Sequence, residues 1–369
     1  MNKKAKFSEL ARRGFFNLMG VSRSKAFLSY TFRKRFRKHS FSFPIKVSSI
    51  KEILIILPKR DLEILYQLKN LLSIASIFKD SAITVFCAET VSSFVKMIPD
   101  ITIVEYNEEE ISGFATRFYN FTSRFKNHFD ICILLERDPD LSMLSLIGST
   151  NAPIRAGYEE SGGYPFLNLK ARASSSNIYL PDRNCVMAEL FGMQTDTPRM
   201  SVARNTQDEM DHLLKEIHVS PDHGLIGIDA LFFMQRFGEQ WLENFLSRLH
   251  QNCKSKLYLY IDRDLSLKEL SWLKTQSIPC ISEFSAPKIA ALVNRSDLVI
   301  AGNTVFYALA AVLNKSAVGF FSETEMNTYC PGTNKLKGHL YKDVPDEQSI
   351  TKIIDSVAKI SAKKNKAVI

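Results

Sequence analysis

The chain has 369 residues, 45% hydrophobic and 24% charged, the composition of a globular protein with material for two cores rather than of a disordered or fibrous chain. It holds no uninterrupted apolar run long enough to cross a bilayer, and its first residues lack an apolar core followed by a small-residue cleavage site; neither a membrane span nor a secretory signal is expected. The net charge of +9 is unevenly spread, because residues 1–47 hold 13 of the 48 Lys and Arg against one of the 39 acids, which makes this segment +12 and the remainder −3.

The basic segment is read as an arm apart from the body. "FSELARRGFFNLMG" sets Phe7, Leu10, Phe15, Leu18 and Met19 roughly on one helical face, and "FLSYTFRKRFRKH" interleaves aromatic residues with cations. Such segments settle in the headgroup region of anionic membranes, where each cation near the surface is worth about 1 kcal/mol and the aromatics add apolar burial. Arg33, Lys34, Arg35, Phe36 and Arg37 are therefore the expected membrane-binding residues. Two other readings fit the same composition, a solvated tail and a mitochondrial transit peptide. A nucleic-acid partner is not expected, since the body after the arm is slightly acidic where a basic face would be needed.

From Lys51 onward short β-rich runs alternate with longer helical patterns, as in βαβ units around a parallel sheet. "EILIIL", "AITVFC", "ITIVEY" and "DICILL" are the strands of a first half, with helices near residues 62–79, 89–97 and 108–126; the first of these carries Leu65, Leu68, Leu72 and Ala75 on one side. Residues 152–184 are rich in Gly, Ser, Asn and Pro and read as loops around a cleft. A second half follows Thr206, with strands at "GLIGID", "KLYLYID", "IPCIS", "DLVIAG" and "SAVGFF". The expected fold is α/β, two facing doubly wound Rossmann-like domains with a basic N-terminal extension. Its boundaries are an arm at 1–47, a first domain at 48–200, a second at 201–345, and a C-terminal helix and basic tail at 346–369. Ligands of such sheets lie at the carboxyl ends of the strands. The six cysteines are scattered with no C-x-x-C pair, and the seven His show no metal-ligand spacing, so a reducing cytoplasm and no metal are expected.

In order and spacing these pieces resemble the family-nine glycosyltransferases, the ADP-heptose:lipopolysaccharide heptosyltransferases of bacterial outer-membrane glycan assembly, over roughly residues 50–345. After its first strand that family has six residues ending in Gly-Asp; here Pro58-Lys59-Arg60-Asp61-Leu62-Glu63 puts Glu63 at the Asp. "RAGY", Arg155 to Tyr158, is similar to the family's Arg-Ile-Gly-Phe, and Gln235-Arg236-Phe237-Gly238 stands at its Lys-Arg-Trp-Pro. The family's Asp-Ser/Thr-Gly-x-x-His aligns without gaps on Asn303-Thr304-Val305-Phe306-Tyr307-Ala308, and "FFSETE" stands where Phe-Gly-Pro-Thr is found, keeping Phe321 and Thr324. Val305 loses the backbone freedom of the family's Gly, Ala308 replaces an imidazole, and Gln235 lacks the ammonium that would offset a leaving diphosphate.

The resemblance implies a GT-B type transferase with no cofactor and no metal. It would move a sugar from a nucleotide-sugar donor to a lipid-linked, lipopolysaccharide-type acceptor at the cytoplasmic face of the membrane, as a peripheral protein. Inverting transfer needs a base for the acceptor hydroxyl and positive or dipolar groups for the departing diphosphate. Glu63 is the expected base and Asp61 its rival. Gln235, Arg236, Asn303, Thr304 and Thr324 are the expected donor-binding residues, and Lys59, Arg60 and Arg155 the acceptor-binding ones. Each also has a plain reading: an acid stabilised at a helix start, a helix N-cap at Thr304, solvated surface charge elsewhere. The alternative for the whole chain is a catalytically inactive relative that binds a glycolipid or a protein.

Overall fold

The structure, a computed structural model, describes residues 44–107, 122–159, 165–173, 179–192, 200–217, 224–253, 255–261, 278–282, 285–333, 335–341 and 343–365, with Tyr30, Phe41, Glu110, Asn120, Val219 and Trp272 singly. The predicted membrane-binding residues Arg33 to Arg37 lie outside the described residues. Two compact units result, Met1–Ser176 with Asp182–Pro198 and Asn177–Pro181 with Arg199–Ile369.

The first unit is a six-stranded sheet built from β1 (Glu52–Ile56), β2 (Ala82–Ala88), β3 (Ile101–Tyr106), β4 (Ile131–Leu134), β5 (Ile154–Tyr158) and β6 (Leu169–Ala171). The order is β3-β2-β1-β4-β5-β6 and each pairing is parallel, with Ile53 of β1 beside Ile83 on one side and Ile131 on the other. Strands buried on both faces do not alternate, which is why Ile53, Leu54, Ile55 and Ile56 are all sealed from solvent. Helices α1 (Asp61–Ile77), α2 (Leu141–Ser149) and α3 (Leu180–Glu189) flank this sheet.

The expectation of loops over residues 152–184 is corrected here, because β5, β6 and the start of α3 fall within them. β5 reads Ile-Arg-Ala-Gly-Tyr, and an arginine followed by a small residue and a glycine gives no hydrophobic run to recognise. The strand holds because Arg155, 1% exposed, spends its guanidinium on main-chain carbonyls, Nε donating to Phe166 O at 2.7 Å and Nη1 to Ala152 O at 2.5 Å.

The second unit repeats the plan with β7 (Leu225–Asp229), β8 (Lys256–Tyr260), β9 (Cys280–Ile281), β10 (Leu298–Ala301), β11 (Ser316–Phe321) and β12 (Leu336–Leu340), in the order β12-β11-β10-β7-β8-β9 and again parallel. Its helices are α4 (Arg204–Glu216), α5 (Ala230–Phe237), α6 (Glu239–Asn252), α7 (Ala286–Arg295), α8 (Val305–Val312), α9 (Glu323–Tyr329) and α10 (Glu347–Asn365). An aromatic stack fills one face, with the Trp241 ring 4.7 Å from Phe237, 5.0 Å from Phe245 and 5.6 Å from Phe233. The amphipathic α10 adds Ile350, Ile353, Ile354 and Val357 to that core, so this part of the C-terminal segment belongs to the unit's interior. No helix among the described residues is long and apolar enough to cross a membrane.

Candidate functional site

An order of 3-2-1-4-5-6 means that the chain leaves the central pair of strands in opposite directions, and the connecting turns diverge to leave a crevice at the carboxyl ends of that pair. In the first unit the pair is β1 and β4, and in the second it is β7 and β10. The polar residues that the sequence singles out fall largely on these two points.

At the first switch point β1 runs out through Leu57 and Pro58 into the turn of Lys59 and Arg60 that opens α1, while β4 runs out through Leu135 into Glu136 and Arg137. The two exits are tied together, since Leu135 N donates to Ile56 O at 2.9 Å and Lys59 N to Glu136 Oε2 at 3.3 Å. Glu136 Oε1 also accepts from Asp138 N at 3.4 Å. Burial pushes the Glu136 carboxyl up from the ordinary glutamate range, and the negative charge of Glu63 adds to the rise, so that both outweigh the backbone donors. The predicted base Glu63 stands in the first turn of α1 and pairs with Arg60 at 3.1 Å. The Lys59 ammonium pairs with the Asp140 carboxylate, whose other oxygen caps α2 by accepting from Met143 N at 2.9 Å. Asp61 opens α1; its side chain lies outside what is described.

Behind Glu136 the chain is held by Arg137. Its guanidinium lies 4.2 Å over the Tyr158 ring, its Nε donates to Asn184 Oδ1 at 3.0 Å and its Nη2 to Arg183 O at 2.6 Å. Asn184 in turn donates to Tyr66 O at 3.1 Å, the Tyr158 hydroxyl donates to Asn184 O at 3.0 Å, and Gln67 Nε2 donates to Leu135 O at 2.8 Å. This buried polar lattice joins α1, β5, α3 and the exit of β4.

Arg155, predicted to bind the acceptor, lies elsewhere. It stands second in β5, beside Cys132 of β4, toward the amino ends of the strands, and its side chain faces the interior. Lys59 and Arg60 do reach the switch point, each with an acidic neighbour.

At the second switch point β7 ends on Asp229, fully buried, and β10 ends before the turn Gly302-Asn303-Thr304 that opens α8. Asp229 Oδ1 accepts from Phe232 N at 3.2 Å and caps α5, while Oδ2 accepts from Thr304 Oγ1 at 2.7 Å. Thr304 occupies the N-cap position of α8, yet its hydroxyl makes no cap bond because Asp229 takes it. Asn303 Nδ2 donates to Glu325 Oε1 at 3.3 Å, and Glu325 Oε2 accepts from Ser322 N at 2.9 Å and Ser322 Oγ at 2.7 Å in the capping box that starts α9. Thr324 is exposed beside this box, its Oγ1 3.3 Å from Ser322 Oγ.

Phe232 closes over the turn, for a Cβ placed on Gly302 would stand 2.1 Å from its ring. Arg236, one helical turn further along α5, is exposed and lies 4.8 Å over the Tyr341 ring. Burial raises the Tyr341 hydroxyl above the ordinary tyrosine range and Glu325 adds to this, while Arg236 opposes it. The structure thus gathers Arg236, Asn303, Thr304 and Thr324 about the carboxyl ends of β7, β10 and β11, with Gln235 exposed on the same helix. Sequence reasoning missed Asp229, Glu325, Glu136 and Arg137. The signal for two of them was present: an acid directly after a buried strand and before a helix, as in "GLIGID" and "DICILLE", marks a strand exit.

No protein-family model matches the chain, and no curated protein matches it in sequence. Solved structures do. The glycosyl transferase family 9 protein of Veillonella parvula DSM 2008 matches with a TM-score of 0.67 at 14% identity, over 85% of this chain and 97% of its own. The E. coli ADP-heptose lipopolysaccharide heptosyltransferase II matches with a TM-score of 0.62 at 12% identity over 85% and 99%, and E. coli heptosyltransferase WaaC, solved with ADP, with 0.60 at 12% over 84% and 99%. The two parallel sheets with flanking helices are the fold that the chain shares with these structures.

Proposed function

We propose that the chain is a glycosyltransferase that moves a sugar from a nucleotide-sugar donor to a hydroxyl of a lipid-linked, lipopolysaccharide-type glycan. The observation that carries this reading is the fold likeness to family 9 structures over 85% of the chain, joined to the polar residues at both switch points. The donor belongs to the second unit: the amino end of α8 offers its first amides, and Arg236 the cation, to the diphosphate. The acceptor belongs to the first unit, where Lys59 and Arg60 suit a phosphorylated glycan and the carboxylates of Glu63 and Glu136 suit proton removal. No metal or cofactor enters this reading. The basic arm docks the protein as a peripheral component on the cytoplasmic face, beside a lipid-borne substrate.

A second reading, a binding module without turnover, is favoured by one feature. The second switch point carries Asp229 and Glu325, and Phe232 packs over Gly302 where the family's turn meets a diphosphate. A thermal-shift panel of ADP-, UDP-, GDP-, dTDP- and CMP-sugars separates the two. A nucleotide sugar at 100 times its dissociation constant stabilises the chain by about 2.7 kcal/mol. Stabilisation by a nucleotide sugar, followed by release of free nucleotide when bacterial lipid extract is added, supports the transferase. Silence across the panel rejects it and leaves the binding module.

A further inference from the structure

The proton acceptor is a separate question, because the resemblance puts it on Glu63 while the geometry of the first switch point points elsewhere. Glu63 sits on the first turn of α1 and its carboxylate is already engaged by Arg60 in an ion pair at 3.1 Å. We infer that Glu136 takes the proton of the acceptor hydroxyl, with Glu63 as its neighbouring carboxylate and Arg137 as the residue that positions it. The inference rests on the transferase reading and deepens it.

Three geometric features support the assignment. Glu136 stands at the carboxyl end of β4, within hydrogen-bond reach of the Lys59 amide that leaves β1, so it lies in the crevice that the sheet topology creates for a ligand. Its backbone is immobilised from behind, since the adjacent Arg137 is stacked on Tyr158 and bonded to Asn184 and to Arg183 O, which gives the rigid support that a proton-transfer group needs. Among the described residues the charged groups about it are Lys59, Arg60 and Glu63 from the turn and helix α1, and Arg137, Asp138 and Asp140 from its own loop. Of the cations, Lys59 is paired with Asp140 and Arg60 with Glu63. Partial burial and the Glu63 charge then leave Glu136 more basic than an ordinary glutamate, in the direction a general base requires at neutral pH.

In the step itself the acceptor oxygen forms a bond to the anomeric carbon of the donor sugar. The bond from that carbon to the diphosphate oxygen breaks, its electron pair leaving on the diphosphate. The hydroxyl proton passes to a Glu136 carboxylate oxygen and afterwards to water.

The test uses the full chain with the nucleotide sugar found by the panel and bacterial lipid extract as acceptor, reading nucleotide release against pH. Glu136→Gln, which keeps an oxygen for the Lys59 amide, is expected to lower kcat by about 10²- to 10⁴-fold with donor KM unchanged. Glu136→Asp restores part of the loss. Glu63→Gln moves the acidic limb of the pH profile to lower pH, because the charge that raises Glu136 is gone. Arg137→Lys lowers kcat and leaves donor KM alone. A Glu136→Gln variant that melts like the wild type and keeps turnover within threefold overturns the assignment while the transferase reading stands. An acidic limb that stays in place in Glu63→Gln overturns the coupling. A wild-type chain that releases no nucleotide with any sugar of the panel overturns the transferase reading and this assignment together.

Discussion

Thr304→Val removes one oxygen and replaces it with a methyl of similar size at the second switch point. The lost bond runs from Thr304 Oγ1 to the buried Asp229 carboxylate at 2.7 Å, and a hydrogen bond to a charged group contributes about 1.5–3 kcal/mol. Asp229 keeps its cap bond to Phe232 N, so the loss stays at that level and the helix start survives. Asp229→Ala costs more, because it also removes the cap, worth about 1 kcal/mol. Adding Thr304→Val to it then costs little, and the cycle returns a coupling energy within the 0.5–3 kcal/mol typical of contacting residues. The readout is local to the unit. Both tryptophans, Trp241 and Trp272, belong to the second unit, and Trp241 is buried in its aromatic stack. Urea unfolding followed by tryptophan fluorescence therefore reports on that unit. With a slope of about 2 kcal/mol/M, the midpoint of Thr304→Val falls by about 1 M. Thr324→Val, at an exposed position on α9, stays within about 0.5 kcal/mol of the wild type. A Thr304→Val midpoint within about 0.2 M of the wild type refutes the claim that this bond clasps β7 to the turn after β10.

Arg155→Met leaves the carbonyls of Phe166 and Ala152 without their buried donor, which costs about 2–6 kcal/mol at about 1–3 per orphaned group; faster amide exchange across Ile154–Ala171 measures it, whereas an acceptor-binding arginine would change affinity and leave exchange alone. Gly302→Ala pushes a methyl against the Phe232 ring, an overpacking worth about 1–3 kcal/mol, and Phe232→Leu in the same chain recovers most of the lost urea midpoint. Deleting residues 1–45 releases the protein from phosphatidylserine vesicles in co-sedimentation while its melting temperature holds; a truncated chain that stays on the vesicles refutes the arm as the anchor.

The body of the fold is legible in the sequence because parallel strands buried on both faces are near-continuous apolar runs, and residues 53–56, 225–228 and 298–301 are such runs. β5 escapes this signal for a physical reason: its second residue is an arginine made tolerable by two carbonyls that come from outside the strand. The candidate sites divide along the same line. Asn303 and Thr304 are visible as a strand-turn-helix corner, since the signal is local. The partner that gives Thr304 its task lies 75 residues earlier, and Lys59 and Glu136 are 77 apart. Such pairs are joined by the sheet order alone, and a single sequence does not display which strand lies beside which.

That order also explains why one topology yields two different sites. In each unit the reversal of direction brings an acid at the end of one central strand against the turn that leaves the other, Asp229 against Thr304 and Glu136 against Lys59. The neighbours then assign opposite tasks. Asp229 has one oxygen capping α5 and the other receiving a hydroxyl, so both are spent on holding backbone in place. Glu136 accepts from the Lys59 and Asp138 amides at 3.3 and 3.4 Å and sits beside a second carboxylate, and burial with that charge raises its proton affinity. A carboxylate satisfied by donors is a structural pin, and one crowded by another negative charge is a base. Exchanging the crowding for a neutral amide at residue 63 should therefore turn Glu136 toward the character of an ordinary glutamate, while a valine at residue 304 unpins the other unit without touching proton transfer at all.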